Sequence, residues 1–395
     1  MILIDLSHTS HTKARTGVQR VSRSLYEALP VVLKTPPFPI TWDPYARVWR
    51  HLRSEERLTM ANETPSSGRG SNWSLRQRLQ GWAFRGLRRP PPLLPPSKGL
   101  IVPEIFSAAV GQSLPELMDQ VSGPRVALFH DAIALKLPEL SPSKTVARFP
   151  AYLRELLQFD GVAAVSEDSR DALREWWRWL GATRMPEVVA LPLGIHPPGK
   201  DTVLARTTAL PVALSVGTLE GRKNHLALLE ACERLWSQGH AFELRLIGLA
   251  HPQTGAAALA LLRRLQQAGR AIRYDGPVED RTLQAAYHEC TFTVYPSLME
   301  GFGLPVLESL NYGKPCICSS RGALGESARG GGCLTLDQMD APSLAGAISV
   351  LLTQPGRKDA LAQAARGREF KRWSEYAREL LLWMETLPHD GHLHR

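Results

Sequence analysis

Two successive series of short apolar runs, each followed by a polar loop and a helical pattern, restrict what this chain of 395 residues can fold into more than any other feature. Apolar runs that alternate with helices read as βαβ units, and therefore as parallel sheets covered by helices on both faces. The first series opens with ILIDL, a polar loop SHTSHTKARTG ending in Gly17, and VQRVSRSLYEAL, whose apolar positions 18, 21, 25 and 29 have helical spacing. It continues with GLIVPE, VALFHDAIAL, FDGVAAVSEDSRDALREWWRWLG and EVVALPLGI. The second series has strands PVALSVG, FELRLIG, AIRYDG, CTFTVYPS and KPCICSS, with helices expected near residues 225–237, 255–268, 281–289 and 305–312. Between the two lies HPPGKDTVLARTTALP, rich in Pro, Gly and Thr and without periodicity, which reads as a linker. The expected organisation is an α/β domain over residues 1–195, a linker over 196–210 and a second, doubly wound α/β domain over 211–370. A helix pattern and a polar tail fill 371–395, and the tail histidines of HDGHLHR are expected to sit in solvent rather than on a metal.

Composition narrows the function. With 44% hydrophobic and 22% charged residues, most of the chain must fold. No apolar stretch approaches a membrane span, and Asp5 interrupts the amino-terminal run before a signal-type segment develops, so a cytoplasmic protein is expected. The five cysteines, Cys232, Cys290, Cys316, Cys318 and Cys333, fit neither a disulfide framework nor paired zinc knuckles. Cys316 and Cys318 read as reduced, buried thiols on one face of a strand. The net charge of +9 is concentrated in residues 46–98, which hold ten Arg and one Lys against three Glu, together with SSGRGS and RRPPPLLPPSKG. That segment reads as an insertion or a mobile flap, of a composition that resists packing into regular elements. One basic segment on an otherwise balanced body points to an anionic surface such as phospholipid headgroups, not to nucleic acid. Asn72 to Arg89 can form a helix with Leu75, Leu79 and Trp82 on one side and Arg76, Arg78, Arg85, Arg88 and Arg89 as cationic anchors.

The loops that follow strands carry the chemistry, because ligands of open α/β sheets bind at the strands' carboxyl ends. The most specific is Tyr295-Pro-Ser-Leu-Met-Glu300-Gly-Phe-Gly-Leu-Pro305-Val-Leu-Glu308. Pro305 suits the first turn of a helix, so the amides of Gly301, Phe302, Gly303 and Leu304 open toward an anion, and the two glycines allow close approach of a phosphate. Glu308, a turn in, can accept two hydrogen bonds from a ribose-like diol, and Glu300 can meet a sugar ring. A second loop, Ser215-Val-Gly217-Thr-Leu-Glu-Gly-Arg222-Lys223-Asn224, brings two adjacent cations suited to a diphosphate. The G-x-G-x-x-G fingerprint of nicotinamide and flavin enzymes is missing, and no D-x-D cluster stands at a strand end, so no cofactor and no metal are expected.

The run VGTLEGRKN, YDGPVED, YPSLMEGFGLPVLES and GKPCICS resembles the retaining glycosyltransferases of family 4, including their two glutamates separated by seven residues. RTGVQRVSRSLYEAL, FHDAIALKLPE, AAVSEDSRDAL and VVALPLGIH in the first half add weaker agreement. The resemblance implies a GT-B fold, two Rossmann-like doubly wound domains facing across a cleft, with the carboxyl-terminal helix returning to the first domain. It further implies that Arg222 and Lys223 neutralise the diphosphate of a nucleotide sugar and Glu308 holds the ribose. Glu300 and the Phe302–Leu304 backbone would hold the sugar, Val278 would lie along the base, and Gly217 would lie beside the phosphates. Gly17 would close over the phosphates from the first domain, and His130 would face the reacting sugar. Many relatives carry Arg directly after Gly217, where this chain has Thr218. The loops look most like mannosyltransferases of bacterial surface-polysaccharide assembly, which makes GDP-mannose the leading donor and a glycan or lipid-linked molecule the acceptor. The alternatives are a nucleotide-sugar 2-epimerase of the same fold and a non-catalytic protein that binds an anionic surface or nucleic acid.

Overall fold

The structure is a computed structural model that describes residues 1–14, 17–61, 71–88, 90–199 and 210–388. It divides into two compact units. The first comprises Met1–Ala132, Lys144–Gly194 and the chain from Lys371 on; the second comprises Ile133–Ser143 and Ile195–Phe370. Most of the linker, residues 200–209, and the tail from 389 lie outside the described residues.

The first unit is built on β1 (Leu3–Asp5), β2 (Phe38–Asp43), β3 (Val48–His51), β4 (Leu100–Val102), β5 (Arg125–Phe129), β6 (Gly161–Ala164) and β7 (Glu187–Ala190). Their order in the sheet is β3-β2-β1-β4-β5-β6-β7, and every neighbouring pair is parallel except β2 with β3. The second unit holds β8 (Val212–Val216), β9 (Glu243–Ile247), β10 (Ile272–Gly276), β11 (Phe292–Tyr295), β12 (Cys316–Ser319) and β13 (Cys333–Leu336), in the order β10-β9-β8-β11-β12-β13 and parallel throughout. In each sheet the order reverses beside the first strand, between β1 and β4 and between β8 and β11. These are the topological switch points of two Rossmann-like sheets.

Burial on both faces explains why the strands read as unbroken apolar runs. In the second unit Leu228, Leu229, Cys232 and Leu235 of the helix His225–Ser237 pack with Leu244, Leu246 and Ile317 of the sheet and with Leu344 and Ile348 of the helix Ala341–Thr353. In the first unit the helix Trp373–Thr386 packs on the helix Gly17–Val32, burying Trp373, Tyr376, Leu380 and Met384. A Cβ at Gly194 would lie 2.6 Å from Arg372 and Trp373, and one at Gly161 2.7 Å from Trp383 and Leu387, so both glycines leave room for this last helix and its flanks.

Two elements depart from the sequence reading. The second sheet has a sixth strand, β13, where five were expected. The basic segment is also more regular than its composition implies: it supplies β3, the helix Ser54–Ala61 and the helix Leu75–Gly86, while 62–70 and Arg89 lie outside the described residues. Part of its charge is structural. Arg50, buried on β3, pairs with Asp43 at 2.9 Å and with Glu56 at 2.7 Å, and Glu56 also meets His11 at 2.8 Å. His11 stacks on Trp73 at 3.7 Å between ring centroids, which ties the start of the second helix to the loop after β1. A buried cation in a strand survives because its carboxylates are buried with it; removal of one partner from such a set typically costs about 3–5 kcal/mol.

The loop after β1 is set by two buried carboxyl groups. Glu104 accepts hydrogen bonds from the amides of His8 and Thr9, both at 2.8 Å. Asp5 Oδ1 accepts from the Ser7 amide at 2.9 Å, whereas its Oδ2 has no partner. Burial and the neighbouring Glu104 push the Asp5 carboxyl up to about 7. The folded state therefore retains a proton that the unfolded chain releases near pH 4, so stability should fall as pH rises from about 4 to about 7 by an amount on the order of a few kcal/mol. Urea unfolding across that window should show the slope in the parent and a flatter profile in Asp5→Asn; equal slopes in the two would refute the assignment.

Candidate active site

The site grows from the loops that leave β8 and β11, neighbours at the switch point of the second sheet. After β8 the chain passes Gly217 and makes a short turn over Gly221–Lys223. It then reverses at Asn224, whose φ of 55° lies in the left-handed region that asparagine tolerates better than most side chains. The Asn224 side-chain amide donates to the Met339 carbonyl at 2.6 Å, which fixes the turn. Gly248, at the end of β9, is close-packed here: a Cβ would lie 2.0 Å from the Gly217 carbonyl oxygen.

This geometry delivers Arg222 and Lys223 to the loop after β11. Arg222 reaches Glu300 Oε2 at 2.9 Å and Glu220 Oε1 at 2.8 Å, and Lys223 Nζ reaches Glu300 Oε1 at 2.6 Å. The Lys223 ammonium also donates to the Tyr295 hydroxyl and sits 4.7 Å from that ring's centroid. The Lys223 stem would be 3.8 Å from a Cβ at Gly217. The Leu298 amide donates to the Arg222 carbonyl at 2.9 Å, so the two loops are joined through backbone as well as charge. Burial alone would raise the Glu300 carboxyl, but Arg222 and Lys223 hold it down at about 2. Burial pulls Lys223 below the ordinary lysine value against the attraction of Glu300.

Beyond Glu300, Gly303 has φ of 98° and opens the helix Leu304–Asn311, with Pro305 in its first turn as the sequence indicates. The Ser327 hydroxyl donates to the Phe302 carbonyl at 2.6 Å and holds the Gly301–Leu304 segment from behind. Glu308 accepts from the Tyr287 hydroxyl at 3.0 Å, and Tyr287 stacks on Tyr312 at 5.2 Å. Val278, half-buried after β10, packs into the same small cluster as Tyr287 and Tyr312. The structure thus brings Gly217, Arg222, Lys223 and Glu300 into one cluster and links Glu308 and Val278 through the tyrosines.

His130 and Gly17 belong to the first unit. His130 follows β5 directly and is buried, with Nε2 2.7 Å from the Pro103 carbonyl oxygen; its carbonyl accepts from the Ser169 hydroxyl at 3.1 Å. Burial lowers the imidazole's pKa against that hydrogen bond and the Asp131 charge, favouring a neutral ring. Gly17 is the exposed first residue of its helix, while Arg15 and Thr16 lie outside the described residues.

One residue escaped the sequence reading. His225, first in its helix and 2% exposed, has both ring nitrogens without partners, and burial together with the Lys223 charge lowers it to about 3. Its only sequence signal was its place two residues after Lys223, which does not distinguish it from an ordinary helix start.

Both units have the strand order of Rossmann-like domains, and the second presents a paired-cation loop beside a glycine-opened helix. Residues 201–368 match the family model of glycosyl transferases group 1. That stretch, under half of the chain, is similar to the family, and the two units share the GT-B fold of solved glycosyltransferases. Serotype-specific mannosyltransferase WbdA of Escherichia coli is 26% identical over 339 residues, covering 80% of this chain and 38% of that protein. O-antigen chain mannosyltransferase B of Escherichia coli is 28% identical over 260 residues, covering 64% of this chain and 67% of that one. The chain therefore spans under two fifths of the length of WbdA. Among solved structures, sucrose-phosphate synthase from Thermosynechococcus elongatus superposes with a TM-score of 0.68 at 19% identity, covering 97% of this chain and 98% of that one. WaaG, a glycosyltransferase involved in lipopolysaccharide biosynthesis, gives 0.62 at 14% identity, covering 98% and 100%.

Because Glu300 is the shared counter-charge of two cations, neutralising it should expose both to an added anion. Glu300→Gln should melt at a lower temperature than the parent yet gain more from added pyrophosphate, which supplies the missing charge. Scanning fluorimetry with and without pyrophosphate reads both effects; a gain no larger than the parent's would show that the cations do not face a ligand.

Proposed function

We propose that this chain is a retaining, metal-independent glycosyltransferase. In this reading it moves a hexose, mannose foremost, from a nucleotide-diphosphate sugar to a glycan or lipid-linked acceptor of bacterial surface polysaccharide. The observation that carries the reading is the convergence of Arg222 and Lys223 on the loop that opens the helix Leu304–Asn311. Two adjacent cations and a helix amino-terminus concentrate positive potential where a leaving diphosphate would accumulate charge. The resemblance to WbdA and to O-antigen chain mannosyltransferase B supports mannose and a surface glycan.

In the proposed mechanism Arg222 binds diphosphate oxygens through its planar guanidinium, and Lys223 adds a compact charge, so that the leaving group departs without a metal bridge. Their present partner, Glu300, is released to the hydroxyls of the donor sugar as the diphosphate takes over the cations. The amides of Gly301 to Leu304 hold the phosphate or sugar oxygens, and Glu308, oriented by Tyr287, takes the ribose hydroxyls. Val278 lines the base. The family resemblance assigns Gly17 to the phosphates and His130 to the reacting sugar; a neutral His130 that donates through Nε2 to the Pro103 carbonyl would serve there as an acceptor at Nδ1. With no carboxylate nucleophile assigned, the departing phosphate takes the acceptor's proton on the face it leaves, and configuration is retained.

The deciding experiment incubates the protein with GDP-mannose and other nucleotide sugars, with and without acceptor glycans, in EDTA, and follows products by mass. Transfer or slow hydrolysis of one donor in EDTA is expected; abolition by EDTA with recovery on Mg²⁺ would overturn the metal-independent mechanism. Donor isomerisation without acceptor would establish the epimerase instead. Arg222→Ala and Lys223→Ala should each weaken nucleoside diphosphate binding while sparing the nucleoside. Glu308→Ala should lower affinity for both, by roughly 1.5–3 kcal/mol or ten- to a hundredfold.

A membrane surface is the proposed place of work. On the helix Leu75–Gly86, Leu75 is 69% exposed, Leu79 54% and Trp82 52%, while Gly81 seats the helix against Tyr45 and Asp43. Arg85 in the last turn and Arg88 just beyond it add charge, each able to contribute about 1 kcal/mol near anionic lipid, while Arg76 pairs with Glu55 at 3.5 Å. Among the described residues no helix is long and apolar enough to cross a membrane, so contact would be peripheral. Cosedimentation should favour anionic over neutral vesicles, weaken with salt and fall in the double variant Leu79→Ser, Trp82→Ser; unchanged binding in that variant would move the contact elsewhere.

A further inference from the structure

Cys316 and Cys318 share a face of β12, and the parallel ladder sets Cys333 of β13 directly opposite Cys316. Ladder partners point the same way, so three thiols leave two adjacent strands on one side, while Ile317 between them enters the core on the other. The three sulfur atoms all lie within 4.8 Å of one another. Among the described residues this is the one group of three or more His, Cys, Asp or Glu side chains with ligand atoms that close.

We infer that Cys316, Cys318 and Cys333 form a buried three-thiolate site for one soft, thiophilic cation of the monovalent copper class. The neighbours decide the class. Val306, Leu310, Leu324 and Ala365 pack around the thiols without an oxygen or nitrogen ligand, and the hydroxyl of Tyr295, in the same cluster, is taken by Lys223. Hard cations need oxygen, and structural zinc sites close with four ligands, whereas a soft monovalent ion is satisfied by sulfur in low coordination. With metal–sulfur bonds of about 2.3 Å, trigonal coordination places the sulfurs about 4.0 Å apart, so the present arrangement needs to contract by less than about 1 Å. Binding displaces thiol protons to solvent, which leaves negative charge in an apolar region. Arg368 is the cation at hand: it donates to the Gly331 carbonyl at 3.2 Å, two residues before Cys333, and to the Ser327 carbonyl at 3.1 Å.

A route from solvent is also built in. Cys316 and Cys318 are buried, but Cys333 is half-buried and begins the edge strand of the sheet. It follows Gly330, Gly331 and Gly332, with φ of 93°, 93° and 85°, a left-handed run that only glycine adopts readily. At Gly332 the run closes on the core, where a Cβ would lie 2.6 Å from Leu310, and its carbonyl accepts from the Cys316 amide at 3.1 Å, so entry requires this pairing to open. Cys232 and Cys290 lie buried in other clusters and serve as internal controls.

The test titrates the full, reduced chain with Cu(I) under anaerobic conditions in competition with a chromogenic Cu(I) chelator. One Cu(I) per chain should be withheld from the chelator by the parent and by Cys232→Ser, with affinity at least a hundredfold lower in Cys333→Ser. Cys333 is chosen because its half-buried position tolerates serine, and a circular dichroism melt verifies folding of each variant. Cd(II) provides a second readout, a thiolate charge-transfer absorbance that saturates at one equivalent in the parent and is lost in Cys333→Ser. Equal retention of Cu(I) by parent and Cys333→Ser, or no retention by the parent, overturns the site. Zn(II) that binds one per chain and resists displacement by Cu(I) overturns the class of ion.

Discussion

A parallel strand cannot be followed directly by its neighbour. The chain must leave the carboxyl end of one strand, cross a face of the sheet as a helix and return to the same starting edge. Every loop after a strand therefore emerges on one rim, and at the reversal of strand order two such loops depart toward opposite faces and leave space between them. In the second unit β8 and β11 occupy that position, and the rest of the site follows from it. Arg222 and Lys223 belong to one loop and Glu300 to the other, so their ion pairs span the reversal. The charges are affordable in a buried place because each cation has the same carboxylate, and Lys223 has the Tyr295 ring and hydroxyl as well. This is a neutralised arrangement, yet one whose partners can be exchanged for an anion of equal or greater charge without leaving a buried group unpaired.

The two units use the same topology for different ends. At the reversal of the first sheet, between β1 and β4, stand two carboxyl groups, Asp5 and Glu104, with a neutral His130 at the end of the next strand. Its polar atoms are satisfied mostly by backbone: Glu104 takes two amides of the loop after β1, and His130 meets the Pro103 carbonyl. The second unit collects ion pairs at the corresponding place, two cations with Glu220 and Glu300, and the first collects groups that hold or give up protons.

What could be read from the residues followed how local the cause was. The Gly303-Leu304-Pro305 start of a helix is written in the backbone freedom of glycine and the missing donor of proline, and the structure has it where the sequence put it. The helix boundaries near residues 225–237 and 281–289 are likewise set by periodicity within one turn or two. β3 was hidden because its central Arg50 looks like surface charge until Asp43 and Glu56, brought from either side, are seen to bury it. β13 was hidden because four residues, only two of them Leu, follow a run of three glycines, and its place depends on pairing with β12. The same holds for Cys333: its distance from Cys316 along the chain gives no hint that the ladder sets them opposite. His225 differs again, since nothing local separates a buried helix start from an exposed one. The loops were legible as types, Arg-Lys and Glu-Gly-x-Gly, while their joining through Glu300 was a consequence of strand order, which spacing does not encode.

The helix Trp373–Thr386, packed against Gly17–Val32, gives the first unit a history as well as a shape. A ribosome delivers residues in order, and the strands of the first sheet emerge long before the helix that covers them. Until that helix appears, the apolar side of Gly17–Val32 and the hollows at Gly161 and Gly194 stand open, and the second unit, continuous from Ile195 to Phe370, can fold in the interval. Synthesis thus makes the earlier domain wait for the later one. An interrupted chain would leave a finished second unit attached to a first unit with a bare flank, a ready target for chaperones and proteases.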